Sequence, residues 1–147
     1  MPVRTQQVAY QFLEIIPLVS RVMAADLRQT EDPLNPAYFH LLALLAVQPS
    51  TLGDLAARQA VRKPTMSNTI TTLEERGWVI RKRDDQDRRV VLVEITPQGQ
   101  DVLNGVHHRM LSRIAEILEP LSEQKRASLL TGLEILREVF ESANAEH

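Results

Sequence analysis

The sequence predicts a mainly α-helical protein with one small β-hairpin placed after its fourth helix. Three observations predict it. Apolar residues recur at spacings of three and four along most of the 147 residues, the period of amphipathic helices. Between positions 78 and 95 that period gives way to two short β-branched runs around a polar loop. Only 4% of the chain is aromatic, and its apolar residues are mostly Leu, Val, Ile and Ala, a mix that favours helices over a β-sandwich.

The elements follow in order. Val8, Phe12, Ile15, Ile16, Val19, Val22, Met23 and Leu27 make one helical stripe. Pro17, inside it, is expected to kink or split the helix. Thr30 to Pro36 reads as a linker, and Pro36 to Val47 as a second, mostly apolar and buried helix. Thr51 and Asp54 resemble a capping box and open a short helix carrying Leu52, Leu55 and Ala56. A turn near Gln59 to Lys63 leads to Pro64, suited to the first position of a helix. That helix places Met66, Ile70 and Leu73 on one face and ends at Gly77. Trp78 to Arg83 and Arg89 to Ile95 read as two strands, with Asp84 to Asp87 as the loop between them. Thr96 and Pro97 start a helix that stops at Pro120, and Ser122 caps a last helix reaching Phe140. One chain-long domain is expected over 1–147, with a central lobe at about 36–96 and flanking helices at about 5–29 and 97–144.

Composition narrows the function. There is no cysteine, which excludes disulfides, thiolate zinc sites and thiol redox switches. No signal peptide is expected at the N-terminus. Glu14, Pro17, Arg21 and Asp26 interrupt its apolar residues, so no run is expected to approach the ~20 residues of a bilayer span. No membrane partner and a cytoplasmic location are the expectation. The net charge of −2 is unevenly spread. From Arg58 to Arg89 nine Lys/Arg face five Asp/Glu, while the remainder holds eight basic and fourteen acidic residues. A basic centre between acidic flanks has the polarity of a nucleic-acid-reading face, although a solvated charge cluster would look the same.

Two short helices joined by a tight turn form a helix-turn-helix, whose second helix fits the major groove of duplex DNA. The groove-facing candidates are Arg62, Lys63, Thr65, Ser67, Asn68 and Thr72, which lie off the Met66/Ile70/Leu73 face. Asn can pair with adenine, and Thr or Ser can contact bases or phosphates. The hairpin is the second candidate element. Arg81, Lys82, Arg83, Arg88 and Arg89 make its arms basic, so as a wing it could lie over the DNA backbone and direct an arginine into the minor groove. The bland alternatives are a polar helix face in water and a hairpin kept soluble by charge.

The run from Asp87 through Arg89, Val93 and Thr96 to Gly99 resembles the wing signature of the MarR family of winged helix-turn-helix regulators. Leu73-Glu-Glu-Arg-Gly77-Trp-Val79 is similar to the end of that family's recognition helix, in the expected order and separation. The resemblance spans about Ala37 to Leu103. It implies that Arg89 is the wing arginine at the minor groove and that Asp87 orients nearby arginines. It implies that Lys63, Thr65, Ser67 and Asn68 begin the recognition helix, with double-stranded DNA as the partner. Asn68 replaces a basic residue common in relatives, and Pro64 a small polar one; both departures bear on the operator sequence rather than the mode of binding.

The terminal helices carry more apolar surface than one core needs. At about 100° per residue the stripe from Val102 to Leu111 covers about 180°, and that of the last helix about 220°, against ~100° for a helix packed on one core. A homodimer reading a pseudo-palindrome is expected, and the resemblance implies that it forms through N- and C-terminal dimerisation helices; a deeply buried monomer is the alternative. The resemblance also implies a small aromatic or anionic effector, for which Phe39 and His40 are candidates, although a histidine on an apolar helix is ordinarily a core residue. No metal or other cofactor is expected: His107 and His108 are adjacent and diverge by about 100°. No catalytic residue is expected, since no Gly-x-Ser-x-Gly, phosphate-binding glycine loop or His-Glu-x-x-His occurs. The rival function is a winged-helix module for protein contacts.

Overall fold

Among the described residues, four of the six helices begin where a side chain accepts from an unpaired amide of the first turn. The structure, a computed structural model, describes residues 2–29 and 35–145. Within them α1 (Thr5–Arg28), α2 (Pro36–Val47), β1 (Ser50–Thr51), α3 (Leu52–Arg58), α4 (Lys63–Glu75), β2 (Val79–Arg83), β3 (Val91–Ile95), α5 (Pro97–Leu118) and α6 (Glu123–Ala145) follow one another. The side chain of Asn35 accepts from Ala37 N at 2.9 Å and caps α2, with Pro36 behind it. Thr51 Oγ1 accepts from Asp54 N at 3.1 Å, Thr96 Oγ1 from Gly99 N at 3.0 Å, and Ser122 Oγ from Lys125 N at 3.3 Å. Each bond satisfies one donor that the first helical turn leaves open. Most of the expected Thr30 to Pro36 linker, residues 30–34, lies outside the described residues.

Four expectations change. Pro17 does not split α1, which runs 24 residues with the proline inside it. Because the helix continues, it reaches spanning length, and its most apolar 18-residue window has a mean hydropathy of 1.3. Length and composition alone therefore do not separate α1 from a membrane helix. Pro64 is the second residue of α4, since Lys63 already has helical geometry. Finally, the sheet has three strands in the order β1-β3-β2. Ser50 pairs with Val93 and Thr51 with Leu92, while the β2–β3 hairpin pairs Val79 with Ile95 and Arg83 with Val91. Trp78 and residues Arg89 and Val90, expected as strand, stand outside it.

The two helix ends around the helix-turn-helix share one device. At the end of α4, Gly77 has φ 76°. Gly77 N donates to Glu74 O at 2.9 Å and Trp78 N to Leu73 O at 3.0 Å, a complete Schellman motif. At the end of α3 the same pair of bonds runs from Ala60 N to Ala57 O and from Val61 N to Ala56 O. There the left-handed residue is Ala60, at φ 53°.

Residues Met1–Met110 and Leu111–His147 form two compact units, divided within α5. The core lies in the first: Leu41, Leu42, Leu45, Leu55, Met66, Ile70, Leu73, Trp78, Val79, Val93, Leu103, Val106 and Met110, joined by Leu27 and Ala56. Helices α2 to α5 and strands β2 and β3 thus share one apolar interior. Helix α1 enters it only at its C-terminal end, because Val8, Ile15, Ile16 and Val19 are exposed. In the second unit every described residue of α6 except Leu136 is exposed, Leu130, Leu133, Ile135 and Val139 among them.

The junction of β3 and α5 brings two stretches of backbone close together. Thr96 N donates to Trp78 O at 3.0 Å, and Thr96 Oγ1 donates to Gly77 O at 2.6 Å. Gly99 sits so close that a Cβ placed on it would lie 2.1 Å from Trp78 O. The Thr-x-x-Gly pattern of the wing signature is therefore a packing requirement. Nearby, the Arg76 guanidinium stacks 4.9 Å from the Trp78 ring centroid and 5.8 Å from that of Tyr38, which joins the end of α4 to the first turn of α2.

Candidate nucleic-acid interface

Helix α4 carries three stripes, each built on helical spacing. Met66, Ile70 and Leu73 are buried in the core. Ser67, Thr71 and Glu74 form the second stripe and meet Arg81 of β2. Thr65, Asn68 and Thr72 form the third, at spacings of three and four on the face away from the core. Thr65 and Asn68 are exposed and Thr72 is half-buried. The Thr72 hydroxyl donates to Asn68 O at 3.2 Å and that of Thr69 to Thr65 O at 3.1 Å, so these hydroxyls are held against their own helix.

The helix entrance is cationic. Arg62 is the N-cap residue, in extended conformation and without a side-chain cap bond. Both Arg62 and Lys63 are exposed. The Lys63 side chain passes beside Gly53, where a Cβ would stand 3.4 Å from its Cε. Ser67, expected at the groove, is half-buried and lies on the wing-facing stripe, where its carbonyl accepts from Arg81 Nη2 at 3.1 Å.

The wing loop is fastened from within. Asp84 N donates to Val90 O at 2.9 Å and Val90 N to Asp87 O at 2.9 Å. Arg83 Nη1 donates to Arg88 O at 2.7 Å, so Arg83 closes the loop with the charge expected to face outward. Asp87 accepts from Arg89 N at 3.1 Å, from Arg89 Nε at 3.1 Å and from Arg89 Nη2 at 3.3 Å. The Arg89 side chain and then its backbone N–H hold the Asp87 carboxyl below the usual carboxylate range. The Arg89 side chain is nonetheless 91% exposed. It is a cation aimed by its partner but still open to solvent, and Arg88 beside it is exposed as well.

These elements make the described lobe a helix-turn-helix with a basic wing. The family model described as "MarR family" matches residues 32–90. The chain is 30% identical over 110 residues to YdgG, an HTH-type transcriptional regulator of Bacillus subtilis, covering 71% of each protein. The chain belongs to the MarR family. It is also 26% identical over 95 residues to the B. subtilis HTH-type transcriptional regulator YfiV, of which it spans 59%. Among solved MarR-like structures, transcriptional regulator Tm0710 of Thermotoga maritima matches with a TM-score of 0.79 at 26% identity, over 94% of this chain and 99% of that one. Streptococcus pneumoniae FabT, solved in complex with DNA, shares the fold with a TM-score of 0.66 at 22% identity, over 95% of this chain and 99% of FabT. Winged helix-turn-helix architecture and transcription regulation are thus family properties of this MarR-type chain, and regulation rather than catalysis is the family's activity.

Three residues have roles that only the structure shows. Charge pattern places Arg81 with the exposed basic arms, yet its guanidinium is committed to α4, where Glu74 and Thr71 are its partners. The available signal was the i, i+4, i+7 spacing of Ser67, Thr71 and Glu74, a polar stripe beside the apolar one. Of the effector candidates, Phe39 is half-buried against the core. His40 is exposed and meets the Phe39 ring edge-on at 6.2 Å between centroids, so it is not the core histidine expected on an apolar helix.

Proposed function

We infer that this MarR-family regulator binds double-stranded DNA sequence-specifically as a homodimer and acts as a ligand-responsive repressor in the cytoplasm. The observation that carries the reading is the pairing of two outward elements in one lobe: the Thr65/Asn68/Thr72 stripe with Arg62 and Lys63 at its head, and the wing with a 91% exposed Arg89. The stripe suits base edges in the major groove, where Asn68 can pair with adenine. Arg62, Lys63 and Arg88 suit phosphates, and Arg89 suits the negative potential of a narrow minor groove. FabT, solved with DNA, has the same fold.

The homodimer is supported by apolar surface that this chain leaves uncovered: Leu13, Ile16 and Val19 on α1, Leu111 and Ile117 on α5, and Leu130 and Leu133 on α6. Patches of this kind mark association surfaces. A two-fold dimer would set its recognition helices one DNA turn apart, ~34–36 Å, and read a pseudo-palindrome. Truncation before Ser122 should therefore abolish both the dimer and tight DNA binding, as read by sedimentation and by operator titration. The effector reading rests on Phe39 and His40 at the start of α2 and on the family; an aromatic or anionic molecule that prefers one dimer geometry would shift the recognition helices out of groove spacing.

The test is fluorescence anisotropy at ~150 mM salt with a duplex from upstream of the protein's own gene, against a scrambled duplex. Discrimination of ~10³-fold or more establishes a specific regulator. Arg89→Ala should lower the salt slope by about one unit. No binding to either duplex at low salt would instead favour a protein-contact module.

A further inference from the structure

The wing leaves the core early. Val79 and Val93 are buried at 0% and 1% exposure, but Lys82 and Arg83 are already exposed. Between them stands Arg81, which reaches across to α4. Its Nη1 donates to Glu74 Oε1 at 2.7 Å and its backbone N to Glu74 Oε2 at 3.4 Å. Its Nη2 donates to Ser67 O at 3.1 Å, Thr71 Oγ1 at 3.2 Å and Ser67 Oγ at 3.4 Å. One side chain therefore holds three consecutive turns of the recognition helix along the stripe that faces the wing. We propose that Arg81 is a positioning residue: its clamp on Ser67, Thr71 and Glu74 fixes the angle between wing and recognition helix, so that Arg89 and Asn68 are presented to DNA as one preset surface.

The geometry explains why such a clamp matters. Arg81 pairs with Val93 in the sheet, and Arg89 lies four residues beyond Val93 toward the tip. At about 3.3 Å per residue the wing projects ~13 Å past the clamp. A tilt of ~10° at that point would carry Arg89 by ~2 Å, while a hydrogen bond tolerates only about 0.5 Å. On β3 the core and β1 hold the hairpin only as far as Val93 and Leu92, and on β2 the last buried residue is Val79, so Arg81 is what ties β2 to α4. Arg83 cannot supply this tie, since its guanidinium is committed to Arg88 O inside the loop. The side chains of Arg81 and Glu74 remain 29% and 38% exposed, so the pair is screened and adds little to global stability. A rigid wing pays the ordering entropy before DNA arrives, which is how preorganisation raises affinity.

The functional consequence rests on the DNA-reading assignment above; the mechanical claim does not. Lysine separates positioning from charge: Arg81→Lys keeps the cation but loses the fork that reaches three partners. In the native background Arg89→Ala should weaken operator binding about tenfold, the worth of one charge-assisted contact. In Arg81→Lys and Arg81→Gln alike, Arg89→Ala should cost no more than about twofold, the non-additivity expected when one residue acts through another. Full binding by Arg81→Lys, or an undiminished tenfold effect of Arg89→Ala in Arg81→Gln, overturns the proposal.

The mechanical arm needs no DNA. The chain has no cysteine, so spin labels at Arg58→Cys and Gln86→Cys, in labelled chains diluted into unlabelled protein, report the distance from α3 to the wing tip. The distribution should broaden in Arg81→Gln, Arg81→Lys and the milder Glu74→Gln while each variant still melts cooperatively. Unchanged widths in these variants overturn the clamp. Broadened widths in a protein that binds no duplex sustain the clamp and sink the DNA-reading assignment instead.

Discussion

Two glycines of α5 should answer the same substitution with opposite signs. At Gly99 an added Cβ would stand 2.1 Å from Trp78 O, 2.9 Å from Trp78 C and 2.9 Å from Ile95 Cγ1. Ordinary contact begins near 3.4 Å, so Gly99→Ala forces the start of α5 away from Trp78 by about 1.3 Å or more. The atoms met first are backbone, and Trp78 is itself in the core, so no rotamer change relieves the clash. Overpacking of this kind costs about 1–3 kcal/mol. The displacement also stretches the bonds from Thr96 N to Trp78 O at 3.0 Å and from Thr96 Oγ1 to Gly77 O at 2.6 Å, each worth about 1 kcal/mol. Alanine's better helix propensity returns up to about 1 kcal/mol. The net expectation is a loss of about 2–3 kcal/mol, or a fall in Tm of roughly 5–10 °C for a chain of this length. Gly105 in the same helix has nothing within 4 Å of its Cβ position, so Gly105→Ala gains only the propensity, about 0.5–1 kcal/mol. Thermal unfolding followed by circular dichroism, at one fixed protein concentration because dimers melt concentration-dependently, checks both. A Gly99→Ala protein that melts at or above the wild type would refute the reasoning.

The other predictions concern the turn, the wing tip and the effector region. Ala60 holds a left-handed φ of 53°, which costs an L-residue about 1–2 kcal/mol. Ala60→Gly should remove that cost against the ~0.5–1 kcal/mol of glycine's extra chain entropy, for a small net rise in Tm; a lower Tm would contradict the strain. The Asp87 carboxyl, held below its ordinary value by Arg89, should titrate below about 3.9 in an NMR pH series and move back toward it in Arg89→Ala. Because the folded value is the lower one, the contribution of this pair is complete above the unfolded carboxylate's pKa and disappears as pH falls through the folded value. Wing geometry should then be constant across neutral pH, and a loss of Asp87–Arg89 bonding near pH 6 would count against the assignment. His40→Ala should leave DNA affinity and Tm nearly unchanged, since the ring is exposed, while weakening the response to an aromatic anion in an inducer screen; an unaltered response removes His40 from the effector site.

Much of the fold was legible because it depends on local chemistry. Thr51, Thr96 and Ser122 cap the helices they were expected to cap. Gly77 ends α4 as expected, and Met66, Ile70 and Leu73 are buried together. What escaped the sequence depends on partners far along the chain. Strand β1 is two residues long and exists only because β3 lies beside it, so it has no periodicity of its own. Arg81 finds its partners 7, 10 and 14 residues away, and charge patterning alone gave it to the solvent. Ser67 was counted with the groove because it lies off the apolar stripe, but a helix has more than two faces. Ala60 takes the left-handed position that composition reserves for glycine, where the paired bonds to Ala57 O and Ala56 O fix the turn. The Asp87–Arg89 pair, by contrast, is a two-residue local contact, and the resemblance to the MarR wing signature implies it.

The place of β3 at the centre of the three-stranded sheet divides the wing into parts with different freedom to vary. At its base, Val93 is paired on both sides, with Ser50 and with Arg81, so a residue inserted there would shift two ladders at once and turn a buried side chain outward. Residues 84–90 have no such obligation, since their fastening bonds are made to one another and to Arg83 at the end of β2. Descendants of this sequence can therefore vary at Asp85 and Gln86 while the base stays almost fixed, with Asp87 and Arg89 kept for the bonds they make to each other, and paralogues should diverge at those two tip residues long before they diverge at Val93 or Gly99.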